Sequence, residues 1–335
     1  MRGQLPICPT KAFQPAVQKM SHAQNTLVSM SLESSPQPLG RSFEGSKQPV
    51  PFLRWAGGKR ALLPTLLKHV PAEFDTYYEP FLGAGSLFFS LPSHLDKVVS
   101  DFNSELISTY DTLRTNVAGV LEQLSTLTNS KEDYLRVRAW DREPAFLSRS
   151  AEARAARFIY LNKCGFNGLY RVNRQGFYNV PYGNPRKVDF LMESNLKAVS
   201  DFLKTSNAAG RPAVTTSAGD YKAILQKATG AGSFVYLDPP YAPLSATSGF
   251  VDYNENGFGA SHQEELRDEI LRLTGEGVKV LLSNSAAKLI TNDLYRSEIF
   301  TITPVNVRRA IAAKSSSRGV ISEVLIDNYA AFKGH

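Results

Sequence analysis

From Pro51 onward, short apolar runs bounded by turn-forming residues alternate with stretches in which apolar positions recur every three or four residues. The first pattern fits strands buried in a sheet, the second amphipathic helices. Strands are predicted over 76–81, 97–101, 213–216, 233–238, 278–283, 299–305 and 320–328. Helices are predicted between them, over 104–114, 221–228 and 262–274. Such alternation implies an α/β fold, with a mostly parallel sheet covered on both faces and ligands at the carboxyl ends of strands.

The rhythm breaks between residues 116 and 187, a segment that is helix-rich at first and then carries the aromatic, Asn- and Gly-rich stretch Cys164 to Asn184. A loop or hairpin is expected there, and the simplest account of 116–187 is a second domain set inside the first. The outer domain then comprises 49–115 and 188–332. Residues 1–48 are rich in Ser, Gln and Pro, have no acid before Glu33 and contain Met20 and Met30, so they read as a disordered or mis-started extension.

The 335 residues are 42% hydrophobic, enough for one large core with a smaller unit attached. No stretch approaches the roughly 18 to 20 apolar residues of a membrane span, and no secretory h-region is visible, so a cytoplasmic protein with no membrane partner is expected. Cys8 and Cys164 are too few for a disulfide framework or a cysteine-based zinc site, and five histidines lie scattered without ligand spacing, so no metal is expected.

The net charge of +7 matters mainly for its distribution. Between Lys131 and Phe190 stand twelve Lys or Arg against six acids. A second basic tract, Arg308, Arg309, Lys314 and Arg318, runs without an acid until Glu323. Separate basic tracts suit a protein that grips a phosphate backbone and releases its counterions; a solvated surface is the alternative. Arg149 is read as one of the backbone-gripping cations.

Two strand ends carry candidate chemistry. Glu79-Pro80-Phe81-Leu82-Gly83-Ala84-Gly85 places glycines at a strand-to-helix turn, where they permit a tight bend and close approach of a ligand to backbone. Asp101 ends the next predicted strand, positioned either to accept from ribose hydroxyls or to cap the helix ahead of Ser104. The sharper signal is Asp238-Pro239-Pro240-Tyr241 after the apolar run Phe234 to Leu237. Two prolines stiffen the turn and leave carbonyls as rigid acceptors. An exocyclic aromatic amine is a poor nucleophile, because its lone pair is delocalised. A carboxylate and a fixed carbonyl, each accepting one N–H, can orient that lone pair, and Tyr241 offers a face on which a base can stack.

These strings occur with three others, Phe52-Leu53-Arg54-Trp55-Ala56-Gly57-Gly58-Lys59, Asn162-Lys163-Cys164-Gly165-Phe166-Asn167-Gly168-Leu169-Tyr170-Arg171 and Asn179-Val180-Pro181-Tyr182-Gly183. Collinear over about residues 50 to 330, the set resembles the Dam family of DNA adenine N6 methyltransferases, of the D12 class and the alpha group of amino methyltransferases. The resemblance implies a Rossmann-like S-adenosylmethionine-dependent methyltransferase sheet with an inserted, mainly helical target-recognition domain. It also implies action on double-stranded DNA, with GATC as the target and base flipping as the means of access, and a monomer is expected in solution. Carried over position by position, it puts Trp55, Lys59, Glu79, Phe81, Gly83, Gly85, Asp101, Tyr221 and Asp238 at S-adenosylmethionine, and Asp238, Pro239 and Tyr241 at the reacting amine. Phe166, Asn167, Leu169, Arg171, Asn173 and Pro181 fall where family members contact DNA. Core packing is the other reading for Trp55. Asn184 departs from the pattern, which expects a basic residue directly after Tyr182-Gly183. N4-cytosine or RNA N6-adenine methylation, and a catalytically idle DNA-binding protein, are the alternative functions.

Overall fold

The central strand, β4 (Ser233–Leu237), is buried along its whole length and shows why the chain forms a covered sheet. Phe234 and Tyr236 point into one apolar cluster and Val235 and Leu237 into the other, as the two-residue period of a strand requires. The computed structural model describes residues 48–244, 258–308 and 320–332, with the side chains of 306–308 and 320–322 excepted. The 1–48 extension, apart from Gln48, and most of the second basic tract therefore lie outside the described residues.

The other strands are β1 (Thr76–Glu79), β2 (Asp96–Asp101), β3 (Val214–Ala218), β5 (Lys279–Ser285), β6 (Thr301–Arg308) and β7 (Val320–Asp327). Their order across the sheet is β3-β2-β1-β4-β5-β7-β6. The first five are parallel, and β7 runs antiparallel between β5 and β6. All seven predicted strands are present, with ends moved for chemical reasons. β1 stops before Pro80 and β4 before Asp238-Pro239, because proline cannot donate to a ladder. This is the Rossmann-like arrangement expected, and the order of strand succession reverses between the parallel neighbours β1 and β4, so their carboxyl ends frame a crevice.

Seven α-helices are described: α1 (Leu63–His69), α2 (Ser104–Ser125), α3 (Lys131–Arg138), α4 (Ala151–Cys164), α5 (Glu193–Lys204), α6 (Tyr221–Leu225) and α7 (Ala260–Gly275). Capping side chains define several starts: Asn103, Ser130, Ser150 and Asp220 each accept a first-turn N–H. α2 runs past the predicted end at residue 114, but Asn116 breaks its helical path with φ −147° and ψ 68°. The Asn116 side chain accepts from Gly119 N at 3.0 Å, capping the second half, and donates to Glu152 on α4 at 2.8 Å. The break falls where the insert was expected to begin.

Residues 116–187 do not form a core of their own among the described residues. Val120, Leu124, Tyr134, Val137, Phe158 and Ile159 belong to the same buried cluster as Phe52, Phe88, Val99 and Phe234. Many of the insert's cations are internal struts as well. Arg157 is 2% exposed, pairs with Asp141 at 2.7 Å and donates to the carbonyls of Val137 and Arg138. Asp141 also accepts from Tyr178 N at 2.7 Å, while Arg138 and Arg142 donate to the carbonyls of Val180 and Tyr178. Arg149, read as one of the backbone-gripping cations, is paired with Glu143 and lies 4.2 Å from the Trp140 ring centre. A sum of local charges does not tell that one of these guanidinium groups, that of Arg157, is buried and that others are tied to backbone carbonyls or carboxylates.

Removing one partner of a buried ion pair leaves the other charge uncompensated. Arg157→Ala should therefore lower unfolding free energy by about 3–5 kcal/mol, read as a shift of the urea midpoint at unchanged slope. A loss below about 1 kcal/mol, the range of exposed pairs, would show that Arg157 is not a strut.

Candidate functional site

The glycine turn leaves the carboxyl end of β1 at the crevice. Gly83 and Gly85 adopt φ 49° and 68°, a region that L side chains rarely enter. A Cβ on Gly83 would also lie 2.7 Å from Trp55 Cδ1. The turn is fastened at three points: Leu82 N donates to Ser100 O at 2.9 Å, Gly83 N to Asp101 Oδ2 at 2.9 Å, and Tyr110 Oη to Gly83 O at 3.2 Å. The other oxygen of Asp101 accepts from Asn103 N at 2.9 Å. The helix cap of α2 is thus Asn103, and Asp101 ties the ends of two strands together. Burial raises the Asp101 carboxyl above its ordinary pKa, opposed by these backbone donors.

Glu79 lies beneath the turn rather than on its surface. It is 2% exposed, accepts from Tyr77 Oη at 2.9 Å, and burial holds its carboxyl well above the usual range. Phe81 stacks on Tyr221 at 5.2 Å, and Phe258 completes the group at 6.0 and 6.1 Å. The sequence reading passed over Phe102, which follows Asp101 and is 85% exposed. A large apolar residue placed directly after a strand-end acid was the available signal.

The turn after β4 brings together four groups. Lys59 Nζ lies 2.8 Å from Asp238 Oδ1, donates to Gly57 O at 2.6 Å, and stands 4.8 Å from the centre of the Tyr241 ring. Tyr241 Oη donates to Glu323 Oε2 at 3.0 Å. Burial pushes the Asp238 carboxyl above its ordinary pKa, and the Lys59 ammonium pulls it back only in part. Burial, with Asp238 and Glu323 nearby, also raises the Tyr241 hydroxyl, which stays protonated.

Buried amides from β5 and α7 fix the path of this turn. Gln263 Nε2 donates to Pro240 O at 2.8 Å, and its Oε1 accepts from Asn284 Nδ2 at 3.0 Å. Asn284 Oδ1 accepts from Ala242 N at 3.2 Å, and Ser285 Oγ donates to Ala242 O at 2.6 Å. The carbonyl of Pro240 is therefore engaged. Gln263, Asn284 and Glu323 carry no motif of their own in the sequence, although Gln263 is a polar residue on an otherwise apolar helix face and Glu323 an acid within the strand Val320–Asp327.

Trp55 and Lys59 reach the site from the segment before α1, and Asn162 of α4 anchors that segment. Its Oδ1 accepts from Arg54 N at 2.8 Å, and its Nδ2 donates to Arg54 O at 2.6 Å and Gly168 O at 2.9 Å. Trp55 packs with Phe158 and Tyr170 in a three-ring group, with centroids 6.1 and 5.8 Å away. Core packing is thus part of its role, and it also borders the glycine turn.

Past α4 the chain turns back on itself, with antiparallel bridges Gly165–Tyr182 and Val172–Tyr178. This is the expected hairpin. Phe166 is 44% exposed, Asn167 takes φ 55°, Leu169 is half-buried and Pro181 is exposed. Arg171 is exposed and donates Nε to Asn179 Oδ1 at 2.8 Å, leaving its terminal nitrogens for another partner. Asn173 is spent differently: its Oδ1 accepts from Gln175 N and Phe177 N, both at 3.0 Å, and shapes the hairpin turn. Asn184 has φ 47°, a conformation that asparagine tolerates better than lysine or arginine, which accounts for the departure at that position.

Among the described residues no group of three or more His, Cys, Asp or Glu is arranged to hold a metal ion, and no helix is long and apolar enough to cross a membrane.

Comparison with known proteins agrees with this arrangement. The chain is 40% identical over 284 residues to the Type II methyltransferase M1.LlaDCHI of Lactococcus lactis subsp. cremoris, covering 83% of this chain and 95% of that one. It is 37% identical over 297 residues to the Type II methyltransferase M.MjaIII of Methanocaldococcus jannaschii, covering 83% and 99%. It is 35% identical over 280 residues to the DNA adenine methylase of Serratia marcescens, covering 82% and 96%. Residues 55–311 match the profile of one family, and through that match the chain belongs to the D12 class N6 adenine-specific DNA methyltransferases.

Proposed function

We propose that this enzyme methylates N6 of the adenine in GATC in duplex DNA, after turning that base out of the helix. The observation that carries the reading is the cluster of Asp238, Lys59 and Tyr241 on the proline-stiffened turn at the carboxyl end of β4. An amine inside a base-paired stack cannot reach a recessed carboxylate, so extrusion of the base accompanies a site of this kind.

The residues present fit S-adenosylmethionine. Gly83 and Gly85 form a tight turn at the switch point, where ligands of such sheets bind, and Asp101 ends the neighbouring strand. Trp55, Lys59, Phe81, Tyr221 and Asp238 border this region, with Glu79 supporting it from below. When bound, the sulfonium supplies an electrophilic methyl group. Asp238 accepts one N–H of the target amine, and the carbonyl of Pro239 accepts the other, that of Pro240 being held by Gln263. This turns the nitrogen lone pair toward the methyl. Tyr241 stacks on the base, an interaction worth roughly 1–3 kcal/mol. Lys59 neutralises the buried carboxylate and fixes its orientation.

In the insert, Phe166, Asn167, Leu169, Arg171 and Pro181 form the DNA-reading face, with Asn173 shaping the turn between them. Arg171 reads a guanine edge through its terminal nitrogens. DNA from an expressing, methylation-free host, digested with nucleases that distinguish methylated from unmethylated GATC, tests the target directly. Unmodified GATC sites alongside methylated cytosine, or methylated RNA alone, would reject the reading.

Asp238→Ala should lower the methyl-transfer rate by about 10²- to 10³-fold or more while the protein stays folded. In the wild type, the acid limb of the single-turnover rate should lie above the ordinary range of aspartate, because burial raises the Asp238 carboxyl and its ionised form must accept the amine proton. Activity is lost as pH falls through that value. Asp238→Asn keeps an acceptor and should lose this limb; an unchanged profile would assign the titration to another group.

Arg171→Ala should lose discrimination at one base pair, worth about 1–3 kcal/mol, and retain it at the others. Lys187→Ala, which removes an exposed cation after the hairpin, should weaken all duplexes alike and lower the salt slope by about one. A panel of singly substituted duplexes at two salt concentrations separates these outcomes. One common slowing factor for Arg171→Ala would make it a phosphate contact.

A further inference from the structure

Glu323 lies outside every motif quoted above, yet it is a carboxylate buried in the apolar strand β7, where such a group is costly unless paired. Its register partners are Ser285 on β5 and Val305 on β6. Its Oε2 accepts from Tyr241 Oη at 3.0 Å. The same hydroxyl is also within hydrogen-bonding reach of the Asp238 carboxylate, so it stands between two carboxylates with a single proton to donate. Lys59, 2.8 Å from Asp238 Oδ1, is already committed to the other side of that cluster.

The backbone of the turn is held by prolines and by the Gln263–Asn284 amides, but a tyrosine ring keeps two torsions of its own. A hydrogen bond at the hydroxyl, the far end of the ring, removes that freedom. The direction of donation matters equally. A hydroxyl that donated to Asp238 would occupy a lone pair that the target amine needs.

We infer that Glu323 is a positioning residue for methyl transfer, one that draws the Tyr241 hydroxyl to itself, fixes the ring on which the target base stacks and leaves Asp238 open to the amine. This rests on the roles proposed above for Tyr241 and Asp238. Glu323 touches neither the base nor the methyl donor and acts only through Tyr241.

A double-mutant cycle tests the inference, with Glu323→Leu, Tyr241→Phe and the double variant assayed for single-turnover methyl transfer to a GATC duplex at saturating S-adenosylmethionine. Thermal melting and S-adenosylmethionine affinity are measured in parallel. Glu323→Leu should slow transfer by about ten- to a hundredfold, as a small misplacement of a reacting group does, with cofactor affinity within about twofold of wild type. Glu323→Gln, whose amide oxygen still accepts, should recover most of the rate and serves where the Leu variant does not fold. In the Tyr241→Phe background neither substitution should slow transfer further. Penalties that multiply independently in the double variant would overturn the inference, as would full activity of Glu323→Leu. A wild-type enzyme that methylates no adenine in duplex DNA would instead overturn the underlying reading, and the inference with it.

Discussion

The site depends on one buried amide. Asn162 satisfies both the N–H and the C=O of Arg54, as a neighbouring strand would, and with its remaining donor proton holds Gly168. An unpaired backbone group at such a place costs about 1–3 kcal/mol, so the amide favours a single course for the segment that follows. That course brings Trp55 against the glycine turn and Lys59 to Asp238. Gly168 belongs to the same constraint, since a side chain there would collide with Arg54. Residues more than a hundred positions apart are thereby joined before any ligand is considered.

Around this anchor, the sheet does the coarse positioning and side-chain amides the fine. The reversal of strand order between β1 and β4 opens the crevice, and each of the strands β1, β2 and β4 delivers one candidate functional element at its carboxyl end. A strand end alone leaves several ångströms of latitude. The Gly83–Asp101 bond and the contacts of Gln263, Asn284 and Ser285 with the proline turn remove it. These polar groups are buried and satisfied, the condition under which they contribute order rather than cost.

Much of this was legible in the sequence, because it is written in local patterns. Apolar runs marked the strands, Gly83 and Gly85 marked a turn that other residues would strain, and Asp238-Pro239-Pro240-Tyr241 announced its own rigidity. What stayed hidden depends on long-range partners. Nothing near Glu323 tells that its carboxylate meets Tyr241, and nothing near Arg157 or Arg149 tells that one is buried on Asp141 and the other laid on Trp140. Asp101 was legible as a strand-end acid, but its tie to Gly83 was not, and the neighbouring Asn103 holds the cap. The insert was visible as a break in rhythm, while its sharing of the sheet's core was not, because the apolar spacing of a helix does not say what covers it.

The break in α2 carries a consequence for how such enzymes diversify. A helix of 22 residues spans about 33 Å and, if straight, would run past the sheet without turning toward α4. Asn116 divides it, so that the first half stays on β3 through Asp111 and Arg114 while the second begins at the contact with Glu152. Residues 116–187 are therefore joined to the sheet by a bent rod instead of a flexible tether. Their aim is inherited from the sheet's own geometry. Whatever replaces the segment beyond the bend must present the same apolar face to the common core, and a replacement with the wrong inner face would disturb the sheet it hangs from.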